Sequence, residues 1–221
     1  HQLEAARTAG ADTLRLFEEL DDPRGQGQAE NLLGLIAKRT GDFEQARQHL
    51  QAALAHFRNA ADHRSLSIAR INLGTVEYDD ENGDLIESNR QLQEGLAGAR
   101  ENGDDRGAAE ALNNLGVLAH KQMQLAEAWK WYQEALGLQR KLRNSYGATL
   151  ALTNLGEIAE LKGDHTLAAR LFVAAQSLFN LIGSPYEHYA ADKLRHVVAG
   201  LEPPDGKERL RDIPLDEIIE W

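Results

Sequence analysis

A period of about 40 residues runs through the chain and limits what it can fold into. Four segments fall into one register: Ala29-Glu30-Asn31-Leu32-Leu33-Gly34, Ala69-Arg70-Ile71-Asn72-Leu73-Gly74, Ala111-Leu112-Asn113-Asn114-Leu115-Gly116 and Ala151-Leu152-Thr153-Asn154-Leu155-Gly156. The glycines are 40, 42 and 40 residues apart. A fixed period of this length is the mark of stacked supersecondary units, each too small to bury a core alone. The match extends beyond the motif. Twelve residues before each glycine stand Asp22, Asp62, Asp104 and Asn144; ten before stand Arg24, Arg64, Arg106 and Tyr146; nine before stand Gly25, Ser65, Gly107 and Gly147.

The second half of each unit keeps the register. Ala46, Ala128 and Ala168 come twelve residues after the glycine, Leu50, Tyr132 and Phe172 sixteen after, and Ala53, Ala135 and Ala175 nineteen after. Ser88, Leu92 and Gly95 fit the same positions once two extra residues are allowed near Asp79 to Asn82, which accounts for the 42-residue step. The pattern predicts two antiparallel helices per unit. A glycine inside a helix costs about 1 kcal/mol relative to alanine. Its repetition in four units implies a close crossing, with Ala46 and its equivalents as the small partner positions. Gly41-Asp42, Gly83-Asp84 and Gly163-Asp164 read as a glycine ending one helix and an aspartate capping the next. Met123-Gln124 replaces that pair, so the third turn is expected to differ.

These residues resemble the tetratricopeptide repeat family, which carries Leu-Gly in its first helix and an alanine and a large apolar residue in its second. The longer period and the Ala-x-x-Asn-Leu-Gly form resemble the subgroup found in kinesin light chains and the spindle adaptor LGN. The resemblance implies an all-α fold, a right-handed superhelical α-solenoid of helical hairpins. It covers residues 1–183: an orphan second helix at 2–20, then four repeats starting near 25, 65, 107 and 147. Residues 184–221 are expected to form a degenerate capping helix, a linker from Leu201 to Gly206 and a short amphipathic helix around Ile213 to Ile219. That helix is expected to support self-association. Ala168-Ala169-Arg170-Leu171-Phe172, Ile182-Gly183-Ser184-Pro185 and Pro214-Leu215-Asp216-Glu217-Ile218 resemble, more loosely, the C-terminal sensor region of MalT- and AfsR-like bacterial signal-transduction ATPases. The chain begins with histidine, which reads as a piece cut from a longer protein.

Composition narrows the function. A net charge of −11 argues against direct nucleic-acid contact, which calls for a basic face. No apolar run reaches the roughly 20 residues of a membrane helix, and no cysteine is present for a disulfide or a thiolate site. A cytoplasmic setting fits. No phosphate-binding loop, nucleophile elbow or His-Glu-x-x-His helix occurs, so no catalytic residue, cofactor or metal is expected. His49, His56 and His63 are spaced seven apart and read as side chains in or near solvent. The first helices are expected to line a concave groove that takes a protein or peptide segment. Asn72, Asn114 and Asn154 would form a ladder, since an amide both donates and accepts; the resembled subgroup implies that it binds peptide backbone. Bonding between neighbouring helices is the other reading of the same amides. Leu32 interrupts the ladder, with Asn31 adjacent. Asn113, Lys38, Arg39, Tyr78, His120, Lys121, Glu157 and Glu160 complete the candidate groove. The alternative function is inducer sensing within a larger signalling ATPase or transcription regulator. Trp129 and Trp131 read as packed on the next unit or as a contact patch.

Overall fold

The protein is seen in a computed structural model that describes residues 2–182, 191–193 and 195–197. Nine α-helices are bounded among them: α1 (Gln2–Glu19), α2 (Pro23–Arg39), α3 (Phe43–Asn59), α4 (His63–Asp79), α5 (Leu85–Glu101), α6 (Asp105–Lys121), α7 (Leu125–Lys141), α8 (Ser145–Leu161) and α9 (His165–Ile182). Residues 191–193 and 195–197 are also helical, and no strand occurs among the described residues. The expected linker and the amphipathic helix near Ile213 lie outside the described residues. The chain divides into two compact units, His1–Leu118 and Ala119–Trp221. In the first, α1 packs on α2, α2 pairs with α3, and α4 packs on α3 and pairs with α5. In the second, α8 packs between α7 and α9.

The helical hairpin is fixed where its two helices cross. A Cβ on Gly34 would lie 2.7 Å from Leu50 Cγ and 3.3 Å from the Ala46 carbonyl oxygen. On Gly74 it would lie 2.7 Å from Leu92 Cγ, and on Gly156 2.6 Å from the Phe172 ring. The space a side chain would need is therefore filled first by the large residue of the second helix and then by the backbone carbonyl of its small residue. Leu50, Leu92, Tyr132 and Phe172 are almost wholly buried, as are Ala46, Ala53, Ala128, Ala135, Ala168 and Ala175. The approach is reciprocal in the second hairpin: a Cβ on Gly95 would meet Ile71 at 2.7 Å, and the Ser88 hydroxyl donates to the Gly74 carbonyl at 2.8 Å.

Turn chemistry sets where the helices stop. Gly41 and Gly163 both sit at φ +79°, in the left-handed region that glycine enters freely. The Asp42, Asp84 and Asp164 side chains then accept backbone N–H bonds from the first turn of the following helix. Met123 holds the equivalent left-handed position at φ +59° and Gln124 makes no side-chain cap bond, so the third turn keeps the backbone form of the first and differs in its cap. Gly83 departs from the expectation. It is not left-handed; instead its α-carbon passes so close to the Glu77 carbonyl that a Cβ would lie 1.9 Å from that oxygen. The two extra residues lengthen the turn. They place Asp80 beside Arg47, whose Nε also donates to the buried Glu77 carboxylate at 3.1 Å. Glu77 in turn accepts the Asp84 N–H.

The coincidences upstream of the glycines belong to the start of the first helix, and each has its own cause. Asp22, Asp62, Asp104 and Asn144 are helix N-caps, accepting from the backbone N–H of Gly25, Ser65, Gly107 and Gly147 at 3.0–3.1 Å. The residue nine before the glycine must be small because the preceding second helix lies against it: Cβ atoms on Gly25 and Gly147 would stand 2.2 Å and 2.4 Å from Phe17 and Gln139. The arginines tie one repeat to the next. Arg24 reaches the Asp62 cap at 2.8 Å and Arg64 reaches the Asp104 cap at 2.9 Å. Burial alone would raise both carboxyls. For Asp62 the N–H and hydroxyl of Ser65, then Arg24, outweigh it; for Asp104 the N–H of Gly107, then Arg64, do so. Both are held below the ordinary carboxylate value.

Two outcomes follow for stability. Gly74→Ala should destabilise the fold by about 1–3 kcal/mol through overpacking, while Gly137→Ala should stabilise it by up to about 1 kcal/mol. Gly137 lies within α7 with nothing close to where its Cβ would stand. Melting curves followed by circular dichroism distinguish the two. The second outcome concerns pH. A carboxylate whose pKa is lowered on folding contributes stability that is present above its unfolded value, here 3.8, and is lost as pH falls through the folded value. The melting temperature should therefore drop in acid below about pH 4. The decline should be shallower in Asp62→Asn/Asp104→Asn, which keeps the caps in the form that Asn144 already uses.

Candidate functional site

In the first unit the helices α2, α4 and α6 present their positions three and four residues apart on one face. On this face a chain of polar contacts links the three. The Asn72 carboxamide is buried, and its nitrogen donates to the Asn31 oxygen at 2.9 Å. The Thr75 hydroxyl donates to the Asn72 backbone carbonyl at 2.7 Å and accepts from Lys38 Nζ at 2.7 Å. The same ammonium lies 3.0 Å from the Asp79 carboxylate and 6.0 Å from the centre of the Tyr78 ring. The Tyr78 hydroxyl donates to the Asn114 oxygen at 3.1 Å. Burial, with the negative charges of Asp79 and Glu110, pushes the Tyr78 hydroxyl well above the usual phenol range, so it stays a donor. The first helices are thus bonded to one another through residues 36–41 positions apart in sequence.

Two features of this face are not consumed by the network. Leu32 and Leu35, one turn apart on α2, are 49% and 37% exposed. Glu110 on α6 keeps an exposed edge but makes no hydrogen bond or ion pair among the described residues. Protein crowds its carboxyl enough that burial, partly offset by the charges of Arg106 and Lys38, pushes it up. An apolar strip and a carboxyl without an ion pair suit ligand groups that are apolar and cationic respectively.

The structure brings together Asn72, Lys38, Tyr78 and Asn114 from the expected groove, and adds Asn31, Thr75 and Asp79. Arg39 is exposed and outside the network, and Asn113 is half-buried. His120, Lys121, Asn154 and Glu157 belong to the second unit. His120 and Asn154 are half-buried and Lys121 is exposed. Glu157 pairs with Lys193 at 3.0 Å, and Glu160 faces His196 at 3.7 Å. Thr75 and Leu35 follow the glycine directly in their repeats, a position the spacing offered but residue type did not single out. His49 bonds Glu30 at 2.6 Å, and no three His, Asp or Glu among the described residues converge as metal ligands. Trp129 is half-buried with the Lys162 ammonium 6.0 Å over its ring; Trp131 is half-buried. No helix among the described residues is long and apolar enough to cross a membrane.

The tetratricopeptide repeat family profile matches residues 25–101 and 107–180. No curated protein matches the chain. Among solved structures the chain is similar to BtubC (BKLC) from P. vanneervenii, with 18% identity, a TM-score of 0.66 and coverage of 94% of this chain and 96% of that one. It is also similar to a Rap protein complexed with competence and sporulation factor, at 18% identity and a TM-score of 0.65 over 90% of this chain. There it spans 60% of the Rap chain's length. At these identities the likeness is one of fold.

Removing the buried amide tests the network. Asn72→Ala leaves the Asn31 oxygen unpaired and should cost about 1–3 kcal/mol. In a double-mutant cycle with Asn31→Ala, the coupling should be about 1 kcal/mol, read from urea denaturation.

Proposed function

Because the chain belongs to the tetratricopeptide repeat family, we propose that it is a non-catalytic protein-interaction scaffold whose first-helix face holds an extended segment of a partner. The observation that carries this reading is the bonded network from Asn31 to Asn114. It fixes α2, α4 and α6 before any ligand arrives, so little ordering entropy is left to lose on binding. The exposed Leu32 and Leu35 supply apolar area, Glu110 supplies a carboxyl for a cationic group, and the Asn114 nitrogen makes no hydrogen bond to the described residues and can donate to a peptide carbonyl. Asn72 ties α4 to α2 through its amide nitrogen, which donates to Asn31. A structural neighbour solved in complex with a competence and sporulation factor agrees with a ligand-holding role. The alternative is the same face sensing an inducer within a larger bacterial signalling ATPase or transcription regulator in the cytoplasm. The open strip at Leu32 and Leu35 suits an extended segment.

A phage-displayed dodecapeptide library selected on the whole chain tests the proposal. Enriched peptides, made synthetically, should bind the wild type and bind Leu32→Asp/Leu35→Asp on the order of tenfold more weakly, the scale of losing about 1.4 kcal/mol of apolar contact. Asn114→Ala should weaken them about fivefold, the worth of one hydrogen bond. The melting temperature of the leucine variant should stay near wild type, since both residues are exposed. No enrichment, or equal affinity for wild type and the leucine variant, would overturn the reading.

A further inference from the structure

The second hairpin departs from the others along the seam between α4 and α5. On α4, Arg70 stands where the third and fourth hairpins bury Leu112 and Leu152. On α5, Gly98 stands at the fourteenth helix position, which His56, Leu138 and Leu178 occupy in α3, α7 and α9. A Cβ at Gly98 would come within 2.3 Å of the Ser67 hydroxyl oxygen as Ser67 now stands. A cleft of about 420 Å³ lies between the two helices here, lined among others by His63, Leu66, Arg70, Glu94, Gly98 and Glu101.

Its lining has a definite chemistry. The Ser67 hydroxyl donates to the His63 carbonyl at 3.0 Å and turns its oxygen toward Gly98, beside the apolar Leu66. Arg70 is paired with Glu94, and Glu94 also takes Arg90, which bonds Glu87. Glu101 has no ion pair among the described residues. It lies two helical turns from Glu94 along α5, about 10 Å by helix rise. Four of these five charges cancel, and the one left over is a carboxylate on the rim of an apolar floor. The chain's net charge of −11 draws cations to it.

We propose that this cleft is a second recognition site, separate from the first-helix face, that takes a lysine or arginine side chain from a partner's peptide segment. The methylene stem lies on Leu66 and Gly98, and the cationic head meets Glu101. The identity of the residue that is missing argues for an inserted side chain: the other hairpins fill the equivalent position with their own His56, Leu138 or Leu178.

Side-chain analogues test the proposal directly. n-Butylammonium and n-butylguanidinium chloride are titrated into the whole chain at constant ionic strength, with sodium butyrate as the counter-probe, and backbone amides are followed by ¹⁵N NMR. The cations should give saturable shifts at Gly98 and Asn102, and butyrate should not. Glu101→Gln should weaken the response about two- to fivefold, the scale of a partly exposed ion pair. Ser67→Ala/Gly98→Leu copies the third hairpin's Ala109 and Leu138, relieves the contact at Ser67 and fills the cleft, and should abolish the response. Should that variant fail to fold, Glu101→Gln, on the exposed side of α5, carries the decision alone. The proposal is overturned by the absence of saturable shifts at Gly98, by an equal response to butyrate, or by a response that survives in Glu101→Gln unchanged. Shifts confined to Asn72 and Asn114 would also overturn it, and would leave the first-helix face as the site that binds.

Discussion

Leu50, Leu92 and Phe172 lie against first-helix glycines at distances that no Cβ could share, and the geometry of each hairpin follows from that contact. The glycine lets the second helix approach until its largest side chain is wholly buried, and the backbone carbonyl of Ala46 or Ser88 arrives with it. An apolar residue of this size contributes about 1.5–3 kcal/mol when fully buried, more than the helix propensity lost at the glycine. The exchange is favourable only if both residues keep their register, which is why the contact recurs with a single period.

The ends of the helices carry the second constraint. An N-cap carboxylate must satisfy backbone donors, and in Asp62 and Asp104 it also accepts an arginine from the repeat before. One side chain thus terminates a turn and fastens neighbouring hairpins. At the corresponding cap of the fourth repeat, Asn144 keeps the backbone hydrogen bond without the charge. In the second hairpin the longer turn is held by Arg47, Glu77 and Asp80, so the inserted residues are fixed in place.

The proposed function draws on the positions these constraints leave free. The first helices are bonded to each other by Asn31, Asn72, Lys38, Thr75, Tyr78 and Asn114, which makes a firm support for exposed Leu32, Leu35 and Glu110. Beside Gly98, where the repeat omits a side chain, lies a cleft. In both places the departure from the repeat, not the repeat itself, creates surface with something left to bind.

The sequence by itself determined the helical hairpins, their period, the glycine crossings and most of the caps. These depend on contacts within one hairpin, where local spacing and residue type are enough. It also gave away the missing cap at the third turn, because Gln124 does not supply the cap bond that Asp42 supplies. Only the tertiary structure decided how the asparagines are used. Asn72 bonds Asn31 and not the ladder position at Leu32, and Lys38 bonds Thr75 and Asp79 on the neighbouring helix. Such partners lie some 40 residues apart, and the rotation of one helix against the next selects among adjacent candidates. That rotation is set by the packing of whole side chains, and no spacing along the chain encodes it. The same holds for Gly83 and Gly98. A glycine in sequence states that room is needed, but only the fold shows whether a carbonyl, a serine or an incoming ligand takes it.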